Sequence, residues 1–213
     1  MNTIPSPLLI VTSRTLCAIP LEQHVERLFA AGARWLWFRD KDLPFAERKA
    51  LALQLKAIVE RSGGTFTVGG DITLADDIAA KAAHVSTPED ALAARLTLGA
   101  QALIGMSAHS QLDVASAKKA GADYVTLSPV YPTSSKPGYG PALGPQAITA
   151  AAKDYGLPVV ALGGIGLENM ATVRTAGAAA VAIMGLAMAT GEPETLMHEA
   201  LNIWNTGTSP TAP

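Results

Sequence analysis

Apolar and polar positions along the chain follow two alternating patterns. Short, largely apolar runs read as strands at residues 8–13, 34–40, 65–69, 82–86, 103–108, 124–130, 159–165 and 180–186. Amphipathic stretches separate them, such as Phe45 to Glu60, whose Leu51, Leu55 and Ile58 recur at helical spacing. A phrase repeats at the joins: Ala31-Gly-Ala33, Leu98-Gly-Ala100, Ala120-Gly-Ala122 and Ala176-Gly-Ala178 each close a helical pattern just before an apolar run. Glycine there suits a left-handed helix cap. Strands that are apolar throughout and alternate with helices predict a parallel sheet covered by helices. Eight such units predict an α/β fold, a single (β/α)8 TIM barrel over residues 1–206 with a flexible tail at 207–213. A doubly wound open sheet is the alternative, but no Gly-x-Gly-x-x-Gly follows the first strand.

Composition supports a well-buried chain. Of 213 residues, 49% are hydrophobic and only 16% charged, so much of the surface of each element must be covered. A net charge of −2 with no basic block argues against nucleic acid or an acidic membrane as partner. The longest apolar stretch, near Ala176 to Ala189, contains Gly177 and Gly185 and sits between polar segments, so it does not read as a membrane span. A lone Cys17 excludes an internal disulfide and fits a cytoplasmic setting. Assembly into a homo-oligomer is compatible with all of this.

In a parallel barrel the carboxyl ends of the strands share one mouth, so polar residues there become the candidate chemistry. The richest segment runs from Tyr124 through Ser128 to Thr133, Ser134, Ser135 and Lys136, an apolar strand feeding a loop of hydroxyls and an ammonium. Such a cradle suits phosphate or pyrophosphate. Val159-Val-Ala-Leu-Gly-Gly-Ile165 ends instead in bare Gly163 and Gly164, where backbone N–H groups can approach an anion; Met184 and Gly185 follow the last strand. Arg39 and Lys41 flank the end of Trp35-Leu-Trp-Phe38 and would point into the mouth, unless Asp40 and Asp42 neutralise them as solvated loop charges. Ser107 and His109 also sit at a strand end. His84 reads as a core histidine, His24 and His198 as surface residues on helices. No His/Cys cluster has metal-ligand spacing, so any metal would be Mg²⁺ held by carboxylates and a phosphate ligand.

The phrases Leu9-Ile-Val-Thr12, Phe38-Arg-Asp-Lys41, Ile104-Gly-Met-Ser-Ala-His-Ser110, Gly121 to Lys136 and Pro158 to Ile165 give the chain, from Leu8 to about Trp204, a resemblance to the thiamine phosphate synthase and thiazole tautomerase (TenI-like) family of small TIM barrels. The resemblance implies a transferase of thiamine biosynthesis that joins a hydroxymethylpyrimidine diphosphate to a thiazole phosphate and releases pyrophosphate, with Mg²⁺ and small phosphorylated heterocycles as its ligands. By position it implies that Arg39, Lys41, Ser107 and Lys136 bind the diphosphate. Thr133 and Ser135 would contact the thiazole phosphate, whose phosphate would rest on Gly163, Gly164, Met184 and Gly185.

The chain departs from that pattern in one region. Trp37 stands where the synthase pattern has Gln, and Gly69-Gly70 where it has Asn-Asp, the Asp being a magnesium ligand. Asp71, with Glu89 or Asp90, would have to supply the metal carboxylates. The tautomerase branch has a catalytic histidine where this chain has Pro129. Alternatives to the transferase are therefore a relative that binds a phosphorylated ligand without this chemistry, or a tautomerase-like protein using another base.

Overall fold

The structure, a computed structural model, describes residues 3–133 and 140–208. Eight parallel strands close a barrel in sequence order: β1 (Leu8–Val11), β2 (Trp35–Phe38), β3 (Thr65–Gly69), β4 (Ala82–Val85), β5 (Leu103–Ala108), β6 (Tyr124–Leu127), β7 (Val159–Leu162) and β8 (Ala180–Ile183), with β8 pairing back onto β1. The outer layer is α1 (Leu21–Ala30), α2 (Phe45–Arg61), α3 (Ile72–Asp77), α4 (Pro88–Leu98), α5 (Gln111–Lys119), α6 (Pro145–Tyr155), α7 (Leu167–Thr175), a short α8 (Gly185–Met188) and α9 (Pro193–Thr206). The repeated αβ joins form as their glycines predict: Gly32, Gly99, Gly121 and Gly177 all have positive φ, a conformation costly for other residues.

Alternate residues of each strand face opposite ways, which divides the core in two. Leu8, Ile10, Leu36, Phe38, Val125 and Leu127 pack outward against the helices. Leu9, Val11, Trp35, Trp37, Leu103 and Tyr124 fill the barrel with Ala82, Ala180 and Ala182. Each fully buried aliphatic side chain contributes about 1.5–3 kcal/mol. The small residues make room for the rings: Trp35 meets Tyr124 edge-on at 5.0 Å and donates through Nε1 to Thr67 Oγ1 at 3.0 Å. A Cβ at Gly105 would strike Tyr124 and His84, so β5 needs glycine there.

Five strands stop two or three residues short of the predicted ends. Beyond those ends the backbone leaves the ladder and shapes the mouth, and after β8 it turns directly into α8. Thr12 N–H still reaches Trp37 O at 3.0 Å, and Val130 N–H reaches Leu162 O at 2.9 Å, whereas Gly163 turns to φ +92°. At the opposite face Arg95 donates to Asp123 at 2.7 Å and to the Gly121 carbonyl at 3.2 Å, while Asp123 also accepts the Ile104 N–H at 2.8 Å. Asp123 is thus a structural anchor below β6. His24 departs from its expected surface position. It is buried where α1 packs near α8, and its Nε2 meets the Ala187 carbonyl at 2.7 Å.

Candidate active site at the barrel mouth

A cavity of about 680 Å³ opens at the carboxyl ends of the strands. Its walls include Arg39, Lys41, Ser107, Thr133, Gly163, Gly164, Met184 and Gly185, so these predicted site residues converge on one mouth. Ser86, His109 and Ser128 line it too, as their strand-end positions suggest. Ser135 and Lys136 lie outside the described residues. Asp71, Glu89 and Asp90 are not on the cavity wall; Glu89 and Asp90 are exposed in the first turn of α4.

The cations of β2 are not cancelled by their neighbours in sequence. Asp40 is buried and turned toward β1, accepting from Thr12 Oγ1 at 2.6 Å and from the Arg14 N–H at 2.8 Å. Asp42 pairs with the Arg14 guanidinium. Thr12 Oγ1 in turn accepts the Arg39 N–H at 2.9 Å, fixing the loop from which Arg39 and Lys41 project. Among the described residues no carboxylate forms an ion pair with either cation. Arg39 reaches across the mouth to within 3.6 Å of Met184 Sδ.

The end of β3 is shaped to accommodate β2. A Cβ on Gly69 would strike the Trp37 indole and approach the Phe38 carbonyl at 2.9 Å, and one on Gly70, at φ +64°, would strike the Lys41 ammonium. Asp71 has two other tasks. Its Oδ1 caps α3 by accepting the Leu74 N–H at 2.9 Å, and its Oδ2 pairs with Arg48 at 2.6 Å. Arg48, almost wholly buried, also donates to the Gly69 carbonyl at 3.1 Å and lies 5.7 Å from the centre of the Phe38 ring.

His84 forms the floor of this side. Its Nδ1 meets the Tyr124 hydroxyl at 3.2 Å, and its Nε2 meets Ser107 Oγ at 3.1 Å and Thr126 Oγ1 at 3.2 Å. Its ring lies 4.0 Å from that of Trp37. Burial, reinforced by the positive charges of Lys41 and Arg39, pushes its pKa down to about 3, so the ring is neutral at ordinary pH. Burial likewise raises the Tyr124 hydroxyl far above its usual range. The expected core histidine is therefore both a satisfied core group and the support of Ser107.

The β7–β8 side is a surface of backbone. Gly163 and Gly164 both have positive φ and pack against the loop after β6: a Cβ at Gly163 would lie 2.8 Å from Pro129 Cα, and one at Gly164 2.7 Å from Tyr131 Cβ. Asn169 braces the turn, donating through Nδ2 to the Gly164 carbonyl at 2.8 Å and accepting the Gly166 N–H at 3.0 Å. Gly185 has open space around it. Across the mouth, His109 Nδ1 meets the Ser128 carbonyl at 2.7 Å.

Arg48 and Asn169 support the mouth without being among the residues that the strand ends mark. Asn169 had a legible signal, a side chain three residues into a helix that starts at Gly166. Arg48 had none, because its partners lie 21 and 23 residues away.

Among the described residues no three His, Cys, Asp or Glu side chains come close enough to hold a metal ion. With Asp71 bound to Arg48 and, among the described residues, cations but no carboxylate on the cavity wall, the donor set does not fit a protein-held Mg²⁺.

The chain is a closed (β/α)8 barrel whose mouth, at the carboxyl ends of the strands, is lined by Arg39, Lys41 and glycines. Residues 8–186 match the thiamine monophosphate synthase family, and the chain belongs to that family. It is 40% identical over 176 residues to the thiamine-phosphate synthase of Thioalkalivibrio sulfidiphilus, covering 82% of this chain and 83% of that one. It is 33% identical to the thiamine-phosphate synthase of Halorhodospira halophila, covering 96% and 98%. In fold it matches a thiamine phosphate pyrophosphorylase from Pyrococcus furiosus, with a TM-score of 0.84 at 24% identity, covering 94% and 96% of the two chains.

Proposed function

We propose that this chain is a transferase of the thiamine-phosphate synthase type, joining a hydroxymethylpyrimidine diphosphate to a thiazole phosphate. In this reaction the bond between the pyrimidine methylene carbon and the diphosphate oxygen breaks, and the electron pair leaves with pyrophosphate. The thiazole ring nitrogen then donates its lone pair to the methylene carbon. Catalysis of such a step lies mainly in stabilising the charge that develops on the leaving group.

The observation that carries this reading is the pair Arg39 and Lys41. They line the cavity with their neighbouring aspartates turned to β1 and Arg14, in a chain so similar to named synthases. In the proposed arrangement Arg39, Lys41 and Ser107 grip the diphosphate, and Lys136 joins them. Thr133 and Ser135 contact the thiazole phosphate, whose phosphate is held by backbone donors around Gly163, Gly164, Met184 and Gly185. Neutral His84 keeps Ser107 in place. Mg²⁺ is an expectation of the family resemblance alone, and no step here depends on it. A cytoplasmic setting and a single barrel domain over 1–206 complete the proposal. No helix among the described residues is long and apolar enough to cross a membrane.

Incubation of the purified chain with both precursors, with and without Mg²⁺, tests the reading through the appearance of thiamine phosphate and an equal amount of pyrophosphate. Absence of both products under both conditions overturns it.

A further inference from the structure

Bulk has been exchanged between the ends of β2 and β3. Trp37 and Lys41 are large, and the facing Gly69 and Gly70 have no side chain, because a Cβ at either would strike the indole or the ammonium. Lys41 therefore reaches over the end of β3, and its charge occupies the space into which a side chain at position 70 would project. The three nearest aspartates in sequence are all engaged elsewhere: Asp40 by Thr12, Asp42 by Arg14, Asp71 by Arg48. In the same corner the Trp37 Nε1–H is buried without a hydrogen-bond partner among the described residues. The corner thus holds an ammonium and an unused donor, and among the described residues no carboxylate lines it.

From this geometry we infer that the Lys41 ammonium does the charge-neutralising work of a divalent cation at this mouth, so that the cavity binds pyrophosphate with no metal held by the protein. A diphosphate needs several donors and a compensating positive charge, which a fixed ammonium beside Arg39 supplies directly. The inference rests on the proposed function only in taking this corner as the leaving-group site.

The test is calorimetric titration of the full-length chain with pyrophosphate, in EDTA and in Mg²⁺. The wild type should bind in EDTA, with an affinity that Mg²⁺ changes by no more than about threefold. Lys41→Gln, which keeps most of the stem and removes the charge, should weaken binding in EDTA by roughly tenfold or more. Gly70→Asp places a carboxylate beside Lys41 at a left-handed position that Asp tolerates. That variant should lose binding in EDTA and recover it in Mg²⁺, because the new carboxylate and the diphosphate oxygens together can hold the ion. Wild-type binding that requires Mg²⁺, or Lys41→Gln binding like wild type in EDTA, overturns the inference. Should Gly70→Asp fail to fold, which its circular dichroism would show, the wild type and Lys41→Gln still decide. The two proposals separate cleanly. Pyrophosphate binding in EDTA without formation of thiamine phosphate sinks the transferase and leaves Lys41 in its role, while the opposite pair of results does the reverse.

Discussion

Around the ends of β2 and β3 the mouth is built of side chains, Arg39, Lys41 and Trp37, whereas around β7 and β8 it is built of backbone bared by Gly163, Gly164 and Gly185. On the first side the aspartates nearest in sequence to the two cations, Asp40, Asp42 and Asp71, are tied to other partners, so the charges left on the cavity wall among the described residues are positive. On the second the path of the chain itself is the device, and packing against Pro129 and Tyr131 fixes that path. Two walls of one mouth can thus be made by opposite means, one sensitive to charge and the other to volume.

The comparison is broken most severely at Arg48. Replacing it by Ala leaves Asp71 and the Gly69 carbonyl without their shared donor. With the Asp71 side chain 22% exposed, water takes up part of the loss, so the cost should be about 3 kcal/mol, the low end for breaking a buried pair. Urea denaturation measures it, and a cost under about 1 kcal/mol would mean that Arg48 does not hold this wall together. On the other wall, Gly164→Ala combines positive φ with a clash against Tyr131 and should destabilise by about 2 kcal/mol.

The third effect depends on pH. His84 binds its proton only near pH 3 when folded and near 6.5 when unfolded. Between those values the unfolded chain holds the extra proton, so stability falls as pH drops from about 6.5 towards 3, by at most about 1.4 kcal/mol per pH unit. His84→Gln should flatten that part of the stability profile, and coincident slopes for wild type and variant would show that His84 is not its source. The smallest effect sharpens the contrast between the two glycine positions. Gly185→Ala, with open space around it, should stay within about 0.5 kcal/mol of wild type.

The sequence was most legible where the signal is periodic and local. The Ala-Gly-Ala joins and the apolar runs predict all eight strands and the mouth they share, and Arg39, Lys41, Ser107 and the glycines could be placed there from strand ends alone. Local signals could not tell which acid answers which base. Arg14 takes Asp42 across 28 residues and Arg48 takes Asp71 across 23, contacts that exist only once the barrel closes. The same blindness to tertiary packing put His24 at the surface. It also made Asp71 look available for a metal, when the start of α3 and the buried guanidinium of α2 both claim it.

The hydrogen bonds under the cavity have a direction. Among the described residues, the only hydrogen-bond partner of the buried Tyr124 hydroxyl is His84 Nδ1, so the phenol is satisfied as a donor only if that nitrogen carries the lone pair. The histidine proton then resides on Nε2 and is shared between the oxygens of Ser107 and Thr126. With a lone pair of Ser107 occupied from below, its own proton is free to turn outward to the cavity. A phenol locked in its protonated form deep in the barrel thereby sets the polarity of a hydroxyl at the mouth, presenting hydrogen rather than oxygen to the cavity.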